Sequence, residues 1–195
     1  MAPRKFNVII WLVKAAELDD VKRCCLERLA GLRFDLIYSL PYAMCLSTVS
    51  EIMSTLNIED DQSIIATSRF SSIGVAEPEE LAEMQRRVTE FVKKTPITVD
   101  VWQEVAPEYV ERATKKAKAS ISATFMELSK KASNSFSLLV ISNDRLPLLE
   151  LLTIPLNKGL KIPTEGEVVQ FRFDVSVEGR KISTKLMFSA LETAE

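Results

Sequence analysis

The sequence predicts a three-layer α/β/α sandwich with a mostly parallel central sheet and a carboxyl-terminal antiparallel hairpin. Residues 8–13 form an unbroken apolar run, which is typical of a strand buried on both faces of a parallel sheet. Strand-like and helix-like segments alternate after this run, as they do in βαβ units. Residues 169–175 and 182–188 alternate apolar and polar side chains on either side of Gly179, which indicates a hairpin.

The helices of this fold are predicted from apolar residues at helical spacing. The first covers 18–32, with aspartates in its first turn and Gly31 near its end. The second follows Pro41, a residue that suits the first position of a helix. The remaining helices are predicted over 79–94, 108–131 and 145–153. The lysines of 108–131 fall mostly off its apolar face, which indicates a solvated helix surface and not a nucleic-acid patch.

The remaining strands are shorter. Residues 34–39 and 136–142 read as strands of the parallel sheet, and 63–66 is predicted as a short strand in a polar, turn-rich region. The stretch 96–107 is interpreted as a connection that contains Trp102. Tryptophan is enriched at interface hot spots, so Trp102 is a candidate contact for a partner; the alternative is that its indole caps the core.

The overall composition is that of a globular protein. Of 195 residues, 47% are hydrophobic and 27% are charged, and the formal net charge is −2. No strong overall field therefore attracts nucleic acid or an acidic membrane. No apolar run reaches the ~20 residues of a membrane span, and the amino terminus lacks the apolar region of a signal peptide. We expect one domain, 1–195, in an intracellular protein of the cytoplasm or the nucleus.

The chain contains no histidine and three cysteines. Histidine is the only side chain whose unperturbed pKa suits proton transfer near neutral pH, so its absence excludes Ser-His and Cys-His catalysis and imidazole metal sites. Cys24, Cys25 and Cys45 form no Cys-x-x-Cys pair, and an odd count predicts free thiols in a reducing compartment. The adjacent Cys24 and Cys25 are interpreted as helix packing without a redox role. We expect neither a metal nor a cofactor.

Parallel sheets bind ligands beyond the carboxyl ends of their strands. Two segments lie at such ends in this sequence. Residues 12–17, LVKAAE, close the first strand, and residues 140–144, VISND, close the strand at 136–142. Neither segment carries a nucleophile paired with a base.

These segments, together with residues 34–48, resemble the motifs of the histidine phosphatase, or phosphoglycerate mutase-like, superfamily. In that family a strand ends in Ser-Ser-Pro and a helix follows with an arginine and Gln-Thr; here Ser39, Pro41 and Thr48 stand at the same spacing. LVKAAE resembles the family's Leu-Val-Arg-His-Gly-Glu, and VISND resembles its Val-x-Ser-His-Gly. The resemblance covers residues 5–188 and implies the family's fold.

The chain departs from this family at each position that the resemblance makes functional. Lys14 occupies the position of the family's first arginine, and Ala15 that of the nucleophilic histidine. Met44 occupies the position of the helix arginine, and Asn143 that of the second histidine. The family's acid/base glutamate would fall within 69–74, where the sequence has none. Alanine cannot form the covalent intermediate, and methionine offers no donors to the phosphoryl oxygens.

The sequence therefore predicts a catalytically inactive, histidine phosphatase-like domain that acts as a protein-interaction or scaffold subunit. The resemblance also implies a homodimer or a place in a larger complex, because members of this family often self-associate. Exposed apolar residues would mark the interface, and one strand of the hairpin is a candidate sheet edge for pairing with a second chain. Membranes and nucleic acid are not expected as partners.

Two alternatives remain open. The first is a sensor that binds a phosphorylated ligand without cleaving it, through Lys14, Arg145 and a further cation at Arg69. The second is an enzyme with different chemistry, built from Lys14, Glu17, Cys45, Asp144 and Arg145. Against the second, Cys45 lacks a histidine to activate it and suits packing, while Asp144 and Arg145 at a helix start suit a cap and a surface charge.

Overall fold

The computed structural model of the chain describes residues 3–16, 21, 23–58, 64–72, 74–92, 97–144, 146–153 and 162–190. The strands in this part of the chain are β1 (Arg4–Lys14), β2 (Leu36–Ser39), β3 (Ile64–Ala66), β4 (Ser135–Ser142), β5 (Val168–Glu178) and β6 (Lys181–Ala190). The helices are α1 (Arg23–Leu29), α2 (Ala43–Leu56), α3 (Pro78–Phe91), α4 (Val99–Val105) and α5 (Pro107–Leu128), followed by a 3-10 helix at Leu148–Thr153.

The strands form one sheet in the order β3-β2-β4-β1-β5-β6. β1, β2, β3 and β4 run parallel to one another, whereas β5 is antiparallel to β1 and β6 is antiparallel to β5. Gly179, with a φ of 59°, turns the chain between β5 and β6, in a backbone conformation that glycine adopts without strain. The predicted mostly parallel sheet with a carboxyl-terminal hairpin is confirmed.

Helices pack on both faces of this sheet. On one face α5 covers β1 and β5, and Phe125 of α5 meets Phe173 of β5 edge-on with ring centres 5.4 Å apart. On the opposite face α1 and α2 cover Leu139 and Ile141 of β4. A third apolar cluster joins α3, α4 and α5 around Trp102. These layers confirm the predicted α/β/α sandwich.

The central strand β1 is covered unevenly along its length. Val8, Ile10 and Leu12 are buried beneath α5, but Ile9 and Trp11, which point to the other face, are half-buried. The cluster under α1 and α2 reaches β1 mainly at its carboxyl end. The expectation that residues 8–13 are buried on both faces is therefore wrong at Ile9 and Trp11.

The stretch 96–107 differs most from its prediction as a connection, because it contains α4. Thr98 begins this helix, and its hydroxyl accepts a hydrogen bond from the Val101 N–H at 3.4 Å. Trp102 is 1% exposed and lies 5.6 Å from Tyr109 between ring centres. The indole thus caps the core, which is the alternative given above to a role of Trp102 as a partner contact.

Other boundaries shift by a few residues. Pro41 precedes α2, whose first residue is Ala43, so it does not occupy the first helical position. The apolar segment predicted as a helix over 145–153 is a 3-10 helix that begins at Leu148. Residues 18–20 and 22 of the first predicted helix lie outside the described residues. No helix in the described part of the chain is long and apolar enough to cross a membrane.

The packing of α5 on the sheet predicts a large loss of stability in Phe125→Ala. Phe125 is fully buried, so its removal leaves a cavity and should lower the free energy of unfolding by about 3–5 kcal/mol. Phe91→Ala is the matched control, because Phe91 is 55% exposed and its truncation should cost no more than about 0.5 kcal/mol. Equal losses in urea unfolding of the two variants would contradict this packing.

Candidate functional site

β1 and β4 end side by side at the carboxyl edge of the parallel strands. Lys14 lies opposite Ser142 in the register, and the Ala15 N–H donates to the Ser142 carbonyl at 2.8 Å. Ala15 and Asn143, the positions that the resemblance assigns to two histidines, are thus close to each other. The start of α2, which carries Met44, follows β2 on the other side of β4. The structure brings the expected positions together at one edge.

Thr48 of α2 forms hydrogen bonds with Ala16, in the segment that follows β1. Its Oγ1 accepts from the Ala16 N–H at 3.2 Å and lies 3.0 Å from the Ala16 carbonyl and 2.8 Å from the Met44 carbonyl, either of which can accept its proton. Ala15 is 0% and Ala16 1% exposed. The place that the resemblance assigns to a nucleophile is therefore occupied by a buried methyl group.

Lys14 is buried at the end of β1, with 8% of its surface exposed. Its Nζ donates to the backbone carbonyl of Asp144. A buried ammonium needs such an acceptor, because an uncompensated charge in the protein interior is costly. The cation that was expected to bind an anion is thus held by the protein's own backbone.

Asp144 connects β4 to the loop that precedes α3. Its Oδ2 accepts from the Ser72 N–H at 2.7 Å, and the Ser71 hydroxyl lies 3.4 Å from its Oδ1. Burial raises the pKa of this carboxyl group and outweighs the hydrogen bonds from Ser72 and the charge of Lys14, which lower it. The carboxylate contacts this loop, which corrects its interpretation as a helix cap. Arg145 lies outside the described residues.

Residues of α5 extend this polar cluster. A hydrogen bond joins the side chains of Tyr109 and Ser72, and burial is the main reason that the pKa of Tyr109 is raised. Burial also lowers the pKa of Lys116, against the opposing influence of Asp144. Sequence reasoning missed Ser71, Ser72 and Tyr109 as parts of the site. The one sequence signal for this loop was that the resemblance places an acid/base glutamate within 69–74, where the sequence has none.

Cys45 lies in the first turn of α2 and is 0% exposed. Burial raises the pKa of its thiol to about 11, although a hydrogen bond with the Asn143 backbone and the charge of Lys14 act in the opposite direction. The thiol is therefore protonated at neutral pH and has no thiolate with which to attack a substrate. Met44, its neighbour, is half-buried and packs against the apolar cluster beneath α1 and α2.

Arg69, the further cation expected at the site, is turned towards α5. Its guanidinium forms two hydrogen bonds of 2.8 Å with the Glu127 carboxylate and one of 3.3 Å with Thr124. The guanidinium carbon also lies 5.9 Å from the ring centre of Tyr38. The hydrogen bonds with Glu127 are the main reason that the pKa of Arg69 is raised. This arginine joins a loop to a helix and is not available to an anion at the strand ends.

No group of three His, Cys, Asp or Glu residues that could hold a metal ion occurs in the described ranges. The acidic side chain of the site, Asp144, is used by the protein's own donors. The described residues of this cluster do not provide the three or four ligands that a metal site uses.

The sequence matches no known protein-family model and no curated protein. The structure, however, is similar to several solved structures over nearly the whole length of both chains. Phosphoglycerate mutase from Bacillus anthracis str. Sterne matches with a TM-score of 0.56 and 13% identity, over 95% of this chain and 94% of that chain. YhfR from Bacillus stearothermophilus matches with a TM-score of 0.50 and 12% identity, over 92% and 96%. The chain therefore has a phosphoglycerate mutase-like fold.

The buried Asp144 predicts a specific dependence of stability on pH. A raised pKa means that the folded protein holds the proton more tightly than the unfolded chain does, so stability falls as the pH rises above about 4, where an unfolded aspartate titrates. Asp144→Asn removes this titration. Urea unfolding should therefore show the wild type losing stability relative to Asp144→Asn as the pH is raised above about 4. A difference that does not change with pH would contradict the raised pKa.

The buried thiol of Cys45 predicts slow alkylation. In the folded protein at neutral pH, iodoacetamide should leave Cys45 unmodified, because the side chain is inaccessible and its raised pKa keeps it protonated. The protein unfolded in guanidinium chloride is the control, and there Cys45 should react fully. Peptide mapping by mass spectrometry measures both. Similar rates in the two states would show that Cys45 is accessible and reactive.

Proposed function

We propose that this chain is a catalytically inactive domain of phosphoglycerate mutase-like fold that works by binding other proteins. The observation that carries the proposal is the buried methyl group of Ala15 at the end of β1. Phosphoryl transfer through an enzyme intermediate requires a nucleophile at that place, and alanine has no atom that can attack phosphorus.

The groups around Ala15 support the same conclusion. Met44 offers an apolar thioether where the resemblance implies the donors of an arginine, and Asn143 cannot give or take a proton as a histidine does. The Lys14 ammonium is bonded to a backbone carbonyl. Loss of one preorganised donor costs about 10²–10³ in rate, and here several groups are replaced at once.

Other nucleophiles close to the edge are in unsuitable environments. Cys45 is buried and protonated. The hydroxyl of Ser142 is fully buried and accepts from the Asp144 N–H at 3.2 Å. A hydroxyl needs an adjacent general base to become a nucleophile, and the Asp144 carboxylate beside it is engaged with the Ser71–Ser72 loop. These contacts also argue against an enzyme with different chemistry.

The contacts of the cations favour a protein-binding role over a phosphate sensor. Lys14 is bonded to the Asp144 carbonyl and Arg69 to the Glu127 carboxylate. A sensor would have to break these contacts before either cation met a phosphate, and the cost would reduce affinity. A protein-binding subunit, in a homodimer or a larger complex, needs only the outer surfaces of the fold.

The inactive site predicts that the purified protein hydrolyses p-nitrophenyl phosphate no faster than buffer. Asn143→Ala and Lys14→Ala should leave that background rate unchanged, because neither residue has a reacting partner. Release of p-nitrophenol at matched protein concentrations measures the rate. Hydrolysis that rises with protein concentration and falls in either variant would refute the proposal.

The protein-binding half of the proposal is tested by co-purification from cell lysate, followed by quantification of each retained protein. A partner present in about equal molar amount is the expected result for a subunit of a stable complex. Retention of phosphorylated small molecules without any protein would instead support the sensor.

A further inference from the structure

β6 is an edge of the sheet. Within the described part of the chain it pairs with β5, and its other side has no strand partner. A strand in this position presents a row of backbone N–H and C=O groups that a further strand could bond. Lys181, Ser183, Thr184 and Lys185 of this strand are exposed. The edge is therefore open over residues 181–186.

A groove of about 1000 Å³ lies on the α5 side of the sheet and meets β6 at Thr184, Lys185 and Leu186. Its lining includes apolar residues of α5, the 3-10 helix, β5 and β6, and also charged residues that include Lys115, Lys118 and Lys185; the apolar ones are Val110, Ile121, Leu151, Leu152, Phe173 and Leu186. We call it the α5–β6 groove. Its volume is at the upper end of pockets that hold drug-sized ligands, about 300–1000 Å³, so there is room for several side chains.

The groove is long. The residues of α5 that line it extend from Pro107 to Ser122, which corresponds to roughly 22 Å along a helix that rises about 1.5 Å per residue. Such a length suits an extended chain of about six or seven residues, since a strand rises about 3.3 Å per residue. Residues 184–186 of β6 line the groove, and residues 181–183 continue the same strand beyond it.

The two faces of β6 carry different chemistry. Ile182, Thr184 and Leu186 lie opposite Val177, Val175 and Phe173 of β5, which belong to the core beneath α5. Ile182 and Leu186 are themselves half-buried against that core. A strand added beside β6 would place alternate side chains on this same face, where the α5–β6 groove would take apolar ones.

The opposite face of β6 is basic. Lys181 and Lys185 lie opposite Glu178 and Asp174 of β5, and neither lysine forms an ion pair with a described residue. The outer side of each lysine is open to a neighbouring strand. Opposite charges on neighbouring strands are stabilising and like charges are destabilising, so this face favours acidic residues in the added strand.

We propose that β6 binds an extended segment of a partner protein as a seventh strand of the sheet. The segment alternates apolar residues, which enter the α5–β6 groove, with acidic residues, which face Lys181 and Lys185. This inference rests on the proposed protein-binding function and names the surface and the kind of partner. A second copy of the chain is disfavoured, because it would bring Lys181 and Lys185 of two molecules to one shared edge.

Two features of the edge make the binding selective. Lysines on an edge strand discourage pairing with an arbitrary apolar strand. A register shift between Arg172 and Phe173 leaves Met187 of β6 without a partner on β5, and such a bulge twists the strand beyond it. The regular segment 181–186 is thus the part that a strand of complementary charge can use.

The test uses the full chain and a displayed library of eight-residue peptides. Alternate positions are fixed as valine, isoleucine or leucine, and the others are random among glutamate, lysine, serine and threonine. Selection on the wild type should enrich glutamate at the random positions. A synthetic copy of a selected peptide, labelled with fluorescein, then gives Kd by fluorescence anisotropy.

Lys181→Gln/Lys185→Gln should raise Kd by about fivefold to tenfold, because each lost cross-strand charge pair contributes a fraction of the binding free energy. Lys130→Gln/Lys131→Gln is the matched control: these lysines are exposed and do not line the groove, so Kd should stay within about twofold. Circular dichroism shows that each variant is folded. Equal effects of the two pairs would overturn the assignment of the basic face.

The backbone of the peptide provides a second readout. N-methylation of one alternate set of its amides should abolish binding, whereas methylation of the other set should not, because every second N–H of an added strand bonds to β6. If both methylated peptides bind, the strand model is wrong. The strand model is also wrong if the library shows no enrichment over background, or enrichment without glutamate. Sedimentation gives a third check: a wild-type dimer that Thr184→Pro converts to a monomer would show that β6 pairs with a second copy of the chain.

Hydrolysis of p-nitrophenyl phosphate is measured on the same preparation. Phosphatase activity together with peptide binding would refute the inactive-domain proposal and leave the added strand intact. Absence of both would overturn the added strand and leave a protein-binding role on another face.

Discussion

The parallel pairing of β1 with β4 is the contact on which the site depends. It sets Lys14 opposite Ser142 and therefore brings the residues that follow the two strands to the same edge. In a sheet of this kind the carboxyl edge is where ligands bind. This pairing brings Ala15 and Asn143 to one edge, and the pairing of β2 with β4 brings the start of α2, with Met44, to the same edge.

The edge is filled by interactions within the protein. The Lys14 ammonium meets the Asp144 carbonyl, the Asp144 carboxylate meets the Ser71–Ser72 loop, and Thr48 bonds the chain beyond β1. Buried polar groups must find partners, and in this cluster they find them without a ligand. An anion at this edge would have to replace bonds that already satisfy the cation.

The strand ends and the hairpin could be predicted from the sequence, because apolar runs and alternating side chains are local patterns. The helix α4 was missed, since the cap formed by Thr98 is a weak signal beside the expectation that a polar stretch connects two helices. The burial of Trp102 could not be decided from sequence, because it depends on packing against Tyr109 of another helix. The cluster of Asp144 with Ser72 was invisible for the same reason: the two residues are 72 positions apart in the chain.

Contacts within the protein close the strand-end site. A crystal structure of the protein, grown or soaked with inorganic phosphate, would show whether they persist. We expect Lys14 Nζ to stay on the Asp144 carbonyl, with no phosphate oxygen within hydrogen-bond distance of it. A phosphate bonded to Lys14, with the Asp144 contact broken, would show that this edge is a binding site and is not closed.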